Sequence, residues 1–154
     1  MRQLAGGVCV ITVAGEGVRT GMTVTSVISV TLDPPELLVS VNQKSSSWPL
    51  LQSSGRFGVN VLGDHQEEVA KRFSGQDGLQ GEQRYVGSQW HCTADGVWLL
   101  DAALASFACQ LVSCSEHNGY ALVIGRVTAL GASAPGDPPL VYWQGGYRRL
   151  ADAL

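Results

Sequence analysis

Over residues 21–32 apolar and polar positions alternate, with Met22, Val24, Ile28, Val30 and Leu32 on one side of an extended chain and Thr23, Thr25, Ser29 and Thr31 on the other. A period of two marks a half-buried strand, so one face is expected to seek a core and the other to stay polar. Asp33, Pro34 and Pro35 end the strand, because proline donates no ladder hydrogen bond and holds its predecessor away from the helical region. A second strand, a nearly continuous apolar run, is expected over 36–41. It runs into a polar turn of Asn42, Gln43, Lys44, Ser45, Ser46 and Ser47. Pro49 fits only the first turn of a helix, and serine is a common cap, so a short helix is expected over 48–53.

Strand signals recur at 8–13, 56–62, 106–113, 120–130 and 140–144, separated by Gly, Pro, Asn and Asp. Many short strands with few helices predict a barrel or a sandwich. The clearest helix opens at Asp64, with Glu67 in capping-box register and Glu67–Lys71 and Glu68–Arg72 spaced as ion pairs. It should bury Val69 and Phe73. On that spacing alone Arg72 is more often a partner of Glu68 than a ligand contact. Residues 75–92 are rich in Gly and Gln and have no period, which suits either a mobile lid or a dimer arm. Trp90, Trp98 and Trp143 are expected to pack, with Trp143 a candidate for the dimer-side wall of a pocket.

At 154 residues the chain is expected to form one domain, 1–154. Charged residues are 15%, against about 25% in a typical domain. With 45% hydrophobic residues there is apolar surface to hide, and a homodimer hides it most simply. The net charge of −3 leaves no electrostatic footprint for nucleic acid. No apolar run reaches the roughly 18 residues of a membrane span, and the first residues do not read as a signal peptide, so the cytoplasm is the expected location. Cys9, Cys92, Cys109 and Cys114 are expected as free thiols, Cys9 and Cys109 buried inside strands. Neither C-x₂-C nor H-x₃-H spacing joins these to His91 and His117, so no metal is expected. No G-x-G-x-x-G follows a strand, which argues against a Rossmann domain.

The turn at 42–47 is the candidate for chemistry. Unpaired N–H groups beside hydroxyls, an amide and an ammonium suit a phosphate monoester, although a serine-rich turn before such a helix is usually only a cap. The wider pattern adds weight. The segments AGGVCVIT (5–12), GMTVTSVISVTLDPPELLVSVNQKSSSWPLL (21–51), SGRFGVNVL (54–62), AKRFS (70–74), IGRV (124–127) and PPLVYWQGGYRRL (138–150) resemble the flavin reductase family. These are small FMN-binding split-barrel proteins, the reductase components of two-component flavin-dependent monooxygenases.

The resemblance implies a mainly β, Greek-key split barrel with two or three short helices. It implies that Gly21, Met22, Thr23, Val24, Thr25 and Ser26 lie along the isoalloxazine ring, with Ser40 and Asn42 near the ring and ribityl chain. Lys44, Ser45 and Ser47 would receive the phosphate, Arg72 and Phe73 would approach from the second helix, and Tyr147 would stand close to the site, in reach of a dimer partner. The implied reaction is hydride transfer from NADH or NADPH to FMN or FAD, with the reduced flavin passed to a partner monooxygenase. The cofactors do the redox work, so no side chain is required as a nucleophile. Three departures stand out. Val24 and Thr25 replace the Ala-Ser of many relatives, narrowing the berth for the ring. Tyr120 stands where many carry a His associated with the nicotinamide, and a phenol does not titrate near neutrality. The amphipathic N-terminal helix of many relatives has no counterpart, which suggests a shortened chain. An FMN-dependent oxidase of the pyridoxamine-phosphate oxidase type and a non-enzymatic flavin-binding protein remain the alternatives.

Overall fold

The computed structural model describes residues 1–131 and 136–150. Its strands are β1 (Gly6–Gly7), β2 (Cys9–Gly15), β3 (Val18–Val24), β4 (Val27–Leu32), β5 (Pro35–Asn42), β6 (Arg56–Val61), β7 (Trp90–Cys92), β8 (Trp98–Leu100), β9 (Ala105–His117), β10 (Tyr120–Leu130), β11 (Leu140–Trp143) and β12 (Gly146–Arg149). Two helices interrupt them, α1 (Trp48–Ser54) and α2 (Glu67–Ser74), with 3-10 turns at Asp64–Gln66 and Gly81–Tyr85.

Seven strands form one antiparallel sheet in the order β3-β2-β6-β9-β10-β5-β4, while β1-β11-β12 and β7-β8 form smaller sheets. The strand expected over 21–32 is two strands, and they occupy opposite edges of the large sheet. The β2–β3 ladder ends at Val24 and the β4–β5 ladder begins at Val27. Thr25 and Ser26 alone connect them, so the two edges come within about 11 Å at this point. The sheet must therefore curl on itself, which is the split barrel expected from the sequence. Ser26 fastens the seam, its hydroxyl donating to the Ser40 carbonyl at 3.0 Å and its own carbonyl accepting from the Ser40 N–H at 3.4 Å.

The curl encloses one core, where Ile11 and Val13 of β2 meet Val39, Val41, Phe57, Val59 and Val123, capped by Trp48 and Leu51 of α1. The opposite face of β2 carries Val10, which joins Leu62, Val69, Phe73, Tyr85 and Leu100 in a second core under α2. Burial on both faces explains why β2 does not alternate, with Cys9 to Val13 all buried. On β4 the expectation fails: Ile28, Val30 and Leu32 are exposed, Leu32 to 85%. β4 is an edge strand beyond β5, and among the described residues no layer covers its apolar side, which meets solvent.

The second helix also begins differently. A 3-10 turn occupies Asp64–Gln66, and the Gln66 amide accepts from the Gly63 N–H at 2.9 Å while donating to the Ala102 carbonyl at 3.0 Å. Glu67 thus enters α2 as its first residue instead of closing a box with Asp64. Lys71 pairs with both Glu67 (3.0 Å) and Glu68 (2.9 Å), which leaves Glu68 committed to Lys71 and not to Arg72. Segment 75–92 is neither bare lid nor arm over its whole length, because Tyr85 is buried in the second core and stacks edge-on with Phe73 and Trp90.

Candidate functional site at the sheet seam

Strand β3 is gripped from outside by α2 and the turn that follows it. Tyr85 Oη donates to the Thr20 carbonyl at 2.7 Å, Arg84 Nη1 donates to the Gly21 carbonyl, and Thr23 Oγ1 donates to the Ala70 carbonyl at 2.6 Å. Gly21 is the close approach that permits this grip, since a Cβ there would lie 2.7 Å from Phe73 Cε1. The outcome is a rigid strand whose far end opens into the seam.

A groove of about 480 Å³ lies there, within the usual size of small-molecule sites. Its lining takes Met22, Thr23, Val24, Thr25 and Ser26 from β3 and the connector, and Ser40 and Asn42 from β5. Ser45 and Ser46 come from the following turn, Phe73, Ser74 and Arg84 from the α2 side, and Tyr120 from β10. Beside it a smaller recess of about 240 Å³ shares Thr23, Val24, Thr25 and Ser74 and adds Gln76, Tyr142 and Tyr147. The Tyr142 and Tyr147 rings meet edge-on at 5.2 Å. Burial first, and then Tyr142, raises the Tyr147 phenol above its ordinary range, so it is a neutral hydrogen-bonding group at physiological pH.

Eleven of the residues expected from the sequence thus come together, namely Met22, Thr23, Val24, Thr25, Ser26, Ser40, Asn42, Ser45, Phe73, Tyr120 and, in the adjoining recess, Tyr147. Gly21 stands behind the groove through its carbonyl. Lys44, Ser47 and Arg72 do not line it. The turn closes on itself, with Asn42 Oδ1 accepting from the Lys44 N–H at 2.9 Å and Ser45 Oγ from the Ser47 N–H at 3.2 Å. Lys44 therefore points into solvent, and the Ser47 hydroxyl is buried without a hydrogen-bond partner. Ser47 occupies the cap position of α1 but makes no side-chain cap bond. Arg72 Nη1 donates to the Gln83 carbonyl at 3.2 Å and braces the loop.

Three lining residues were not among the expected site residues: Ser46, Ser74 and Arg84. Ser46 sits in the same serine run, and only the turn geometry selects it over Ser47. Arg84 lies in a stretch without period, and no local pattern announces it.

The seam groove on this curled antiparallel sheet joins hydroxyls, one amide and an arginine to the apolar side chains of Met22, Val24 and Phe73. In family comparison the flavin reductase like domain matches residues 1–151. The FMN reductase (NADH) RutF of Methylorubrum extorquens AM1 is 35% identical over 153 residues, covering 99% of this chain and 75% of that protein. BorF, the flavin reductase component of a bacterial two-component tryptophan halogenase, superposes with a TM-score of 0.88 at 31% identity, over 99% of this chain and 94% of its own. The NADH:FAD oxidoreductase SgcE6 of Streptomyces globisporus C-1027, in complex with NAD and FAD fragments, gives 0.87 at 26% identity, over 97% and 88%. The chain belongs to the flavin reductase family.

Proposed function

We propose that this protein is an NAD(P)H-dependent flavin reductase that takes FMN or FAD as a diffusible substrate and supplies reduced flavin to a partner monooxygenase. The observation that carries this reading is the seam groove, large enough for an isoalloxazine ring and joined at one end to a hydroxyl-bearing turn. The flavin and the nicotinamide supply the redox chemistry, with hydride passing from C4 of one to N5 of the other. The chain's part is to bind and orient. Thr25 and Ser26 lie outside both ladders, so their N–H groups are free to meet the polar edge of the ring and stabilise negative charge there, while the Ser26 carbonyl is held by Ser40. Phe73 and Met22 give the ring an apolar bed. Tyr120, 48% exposed at the rim, is the side chain that would meet the nicotinamide. Val24 and Thr25 bring branched side chains to the ring's berth, and Tyr147 closes the adjoining recess.

The protein acts as a single domain and as a homodimer in the cytoplasm. Exposed Ile28, Val30 and Leu32 on β4, with Val112 on β9, support the dimer, because such apolar groups on one sheet mark an interaction surface. Among the described residues no helix is long and apolar enough to cross a membrane.

The test follows NADH and NADPH oxidation under air with and without added FMN, FAD or riboflavin. Rapid oxidation that requires free flavin is expected. Flavin binding without oxidation would instead make the protein a carrier, and flavin retained tightly through purification would favour an oxidase.

A further inference from the structure

Arg84 is 9% exposed, and its guanidinium stays charged under all ordinary conditions. Two of its nitrogens are spent on backbone carbonyls, Nε on Leu79 at 3.0 Å and Nη1 on Gly21. Among the described residues no carboxylate pairs with it. A nearly buried cation held only by neutral carbonyls is an unbalanced charge, and removal from water lowers its pKa from the ordinary guanidinium value. The bonds to Leu79 and Gly21 fix the plane of the group, Arg84 lines the seam groove, and its remaining nitrogen, Nη2, lies 3.7 Å from where a Cβ on Gly75 would stand.

Its position along the groove matters. Strand β3 advances about 3.3 Å per residue, so the Gly21 level lies about 13 Å from Thr25. That separation matches a flavin whose ring sits at Thr25 and Ser26 and whose ribityl chain extends back along the strand. Ser45 and Ser46 line the same groove, and Ser46 also borders a neighbouring hollow lined by Arg19 and Thr20, which places the serines at the Arg84 end of β3.

We propose that Arg84 is the counter-charge for the flavin phosphate, held ready by Gly21 and Leu79 and completed by the hydroxyls of Ser45 and Ser46. This rests on the flavin reading of the groove. The phosphate neutralises the buried cation, so the group that fixes flavin position is a preformed part of the fold. Lys44, out in solvent, contributes steering at most. A fork-shaped guanidinium holds a carbonyl and a phosphate oxygen at once, which a lysine ammonium at the same place does poorly.

The experiment measures equilibrium affinity for FMN and for riboflavin, which lacks the phosphate, in the wild type, Arg84→Gln and Arg84→Lys, with circular dichroism to confirm folding. Arg84→Gln is expected to weaken FMN by about 10–100-fold and to change riboflavin by less than about 3-fold. Arg84→Lys, which keeps the charge and the fold, should still lose several-fold of the FMN preference. It decides the matter if the glutamine variant does not fold. Equal losses for both flavins, or an FMN preference unchanged in the lysine variant, would show Arg84 to be only a brace for β3. Wild-type protein that binds both flavins equally would overturn the phosphate assignment while leaving the reductase reading intact. Wild-type protein that binds neither would overturn that reading and this inference with it.

Discussion

At the scale of single residues, three consecutive serines fall into two situations. Ser45 and Ser46 face the groove, while Ser47 is fully buried and its hydroxyl has no partner. Ser45→Ala and Ser46→Ala should each weaken FMN by about 1.5–3 kcal/mol if the hydroxyl bonds the phosphate. Ser47→Ala should leave FMN affinity unchanged, because nothing from the ligand reaches that oxygen; fluorescence titration of the three variants separates them. The thiols divide similarly. Burial pushes Cys9 and Cys109 up to about 12, and a raised thiol pKa means less thiolate at a given pH. Burial and then Glu116 also raise exposed Cys114. Alkylation of the native protein at pH 8 should therefore modify Cys92 first and Cys114 more slowly. Cys9 and Cys109 should react only on unfolding, as mass spectrometry of the labelled peptides would show.

At the scale of elements, one buried side chain ties β6 to its neighbours in addition to its two ladders. Asn60 donates to the Val10 carbonyl at 3.1 Å and accepts from the Leu100 N–H at 2.7 Å and the Ser106 hydroxyl at 3.1 Å. Asn60→Leu removes all three and strands two buried backbone groups, so a loss of about 2–4 kcal/mol in a urea titration is expected. Most elements were legible in the sequence: β10 has the expected limits, and β2, β5, β6, β9, β11 and α1 differ from them only at their ends. Periodicity and turn residues sufficed there because each is one continuous strand or helix. Periodicity failed at Thr25 and Ser26, where alternation on both sides masks a one-residue break at Ser26 and Val27 and the chain leaves one sheet edge for the other. An alternating pattern records which way side chains point, not which strand lies alongside. The same blindness hid Arg84, whose importance comes from the Gly21 carbonyl 63 positions earlier.

At the scale of the molecule, the exposed apolar side chains of β4 are the surface on which the proposed dimer can be tested. Val30→Glu with Leu32→Glu should convert the proposed dimer into a monomer, read by light scattering on a sizing column. If the groove is complete within one chain, the monomer should still bind FMN. A wild type that is already monomeric would remove the dimer proposal.

The two-residue link between β3 and β4 makes chain length at one point a setting of the site and not of the fold. Entropy rises so slowly with loop size that each doubling of a flexible link costs only about 0.6 kcal/mol. Three glycines inserted between Thr25 and Ser26 would leave every ladder of the large sheet with its partner strand. Such a protein should melt within a few degrees of the parent yet bind flavin far more weakly, because nothing would hold the margins of the sheet at a ring's width. Across descendants of this chain, drift in that link would be invisible to selection for folding and costly to selection for turnover.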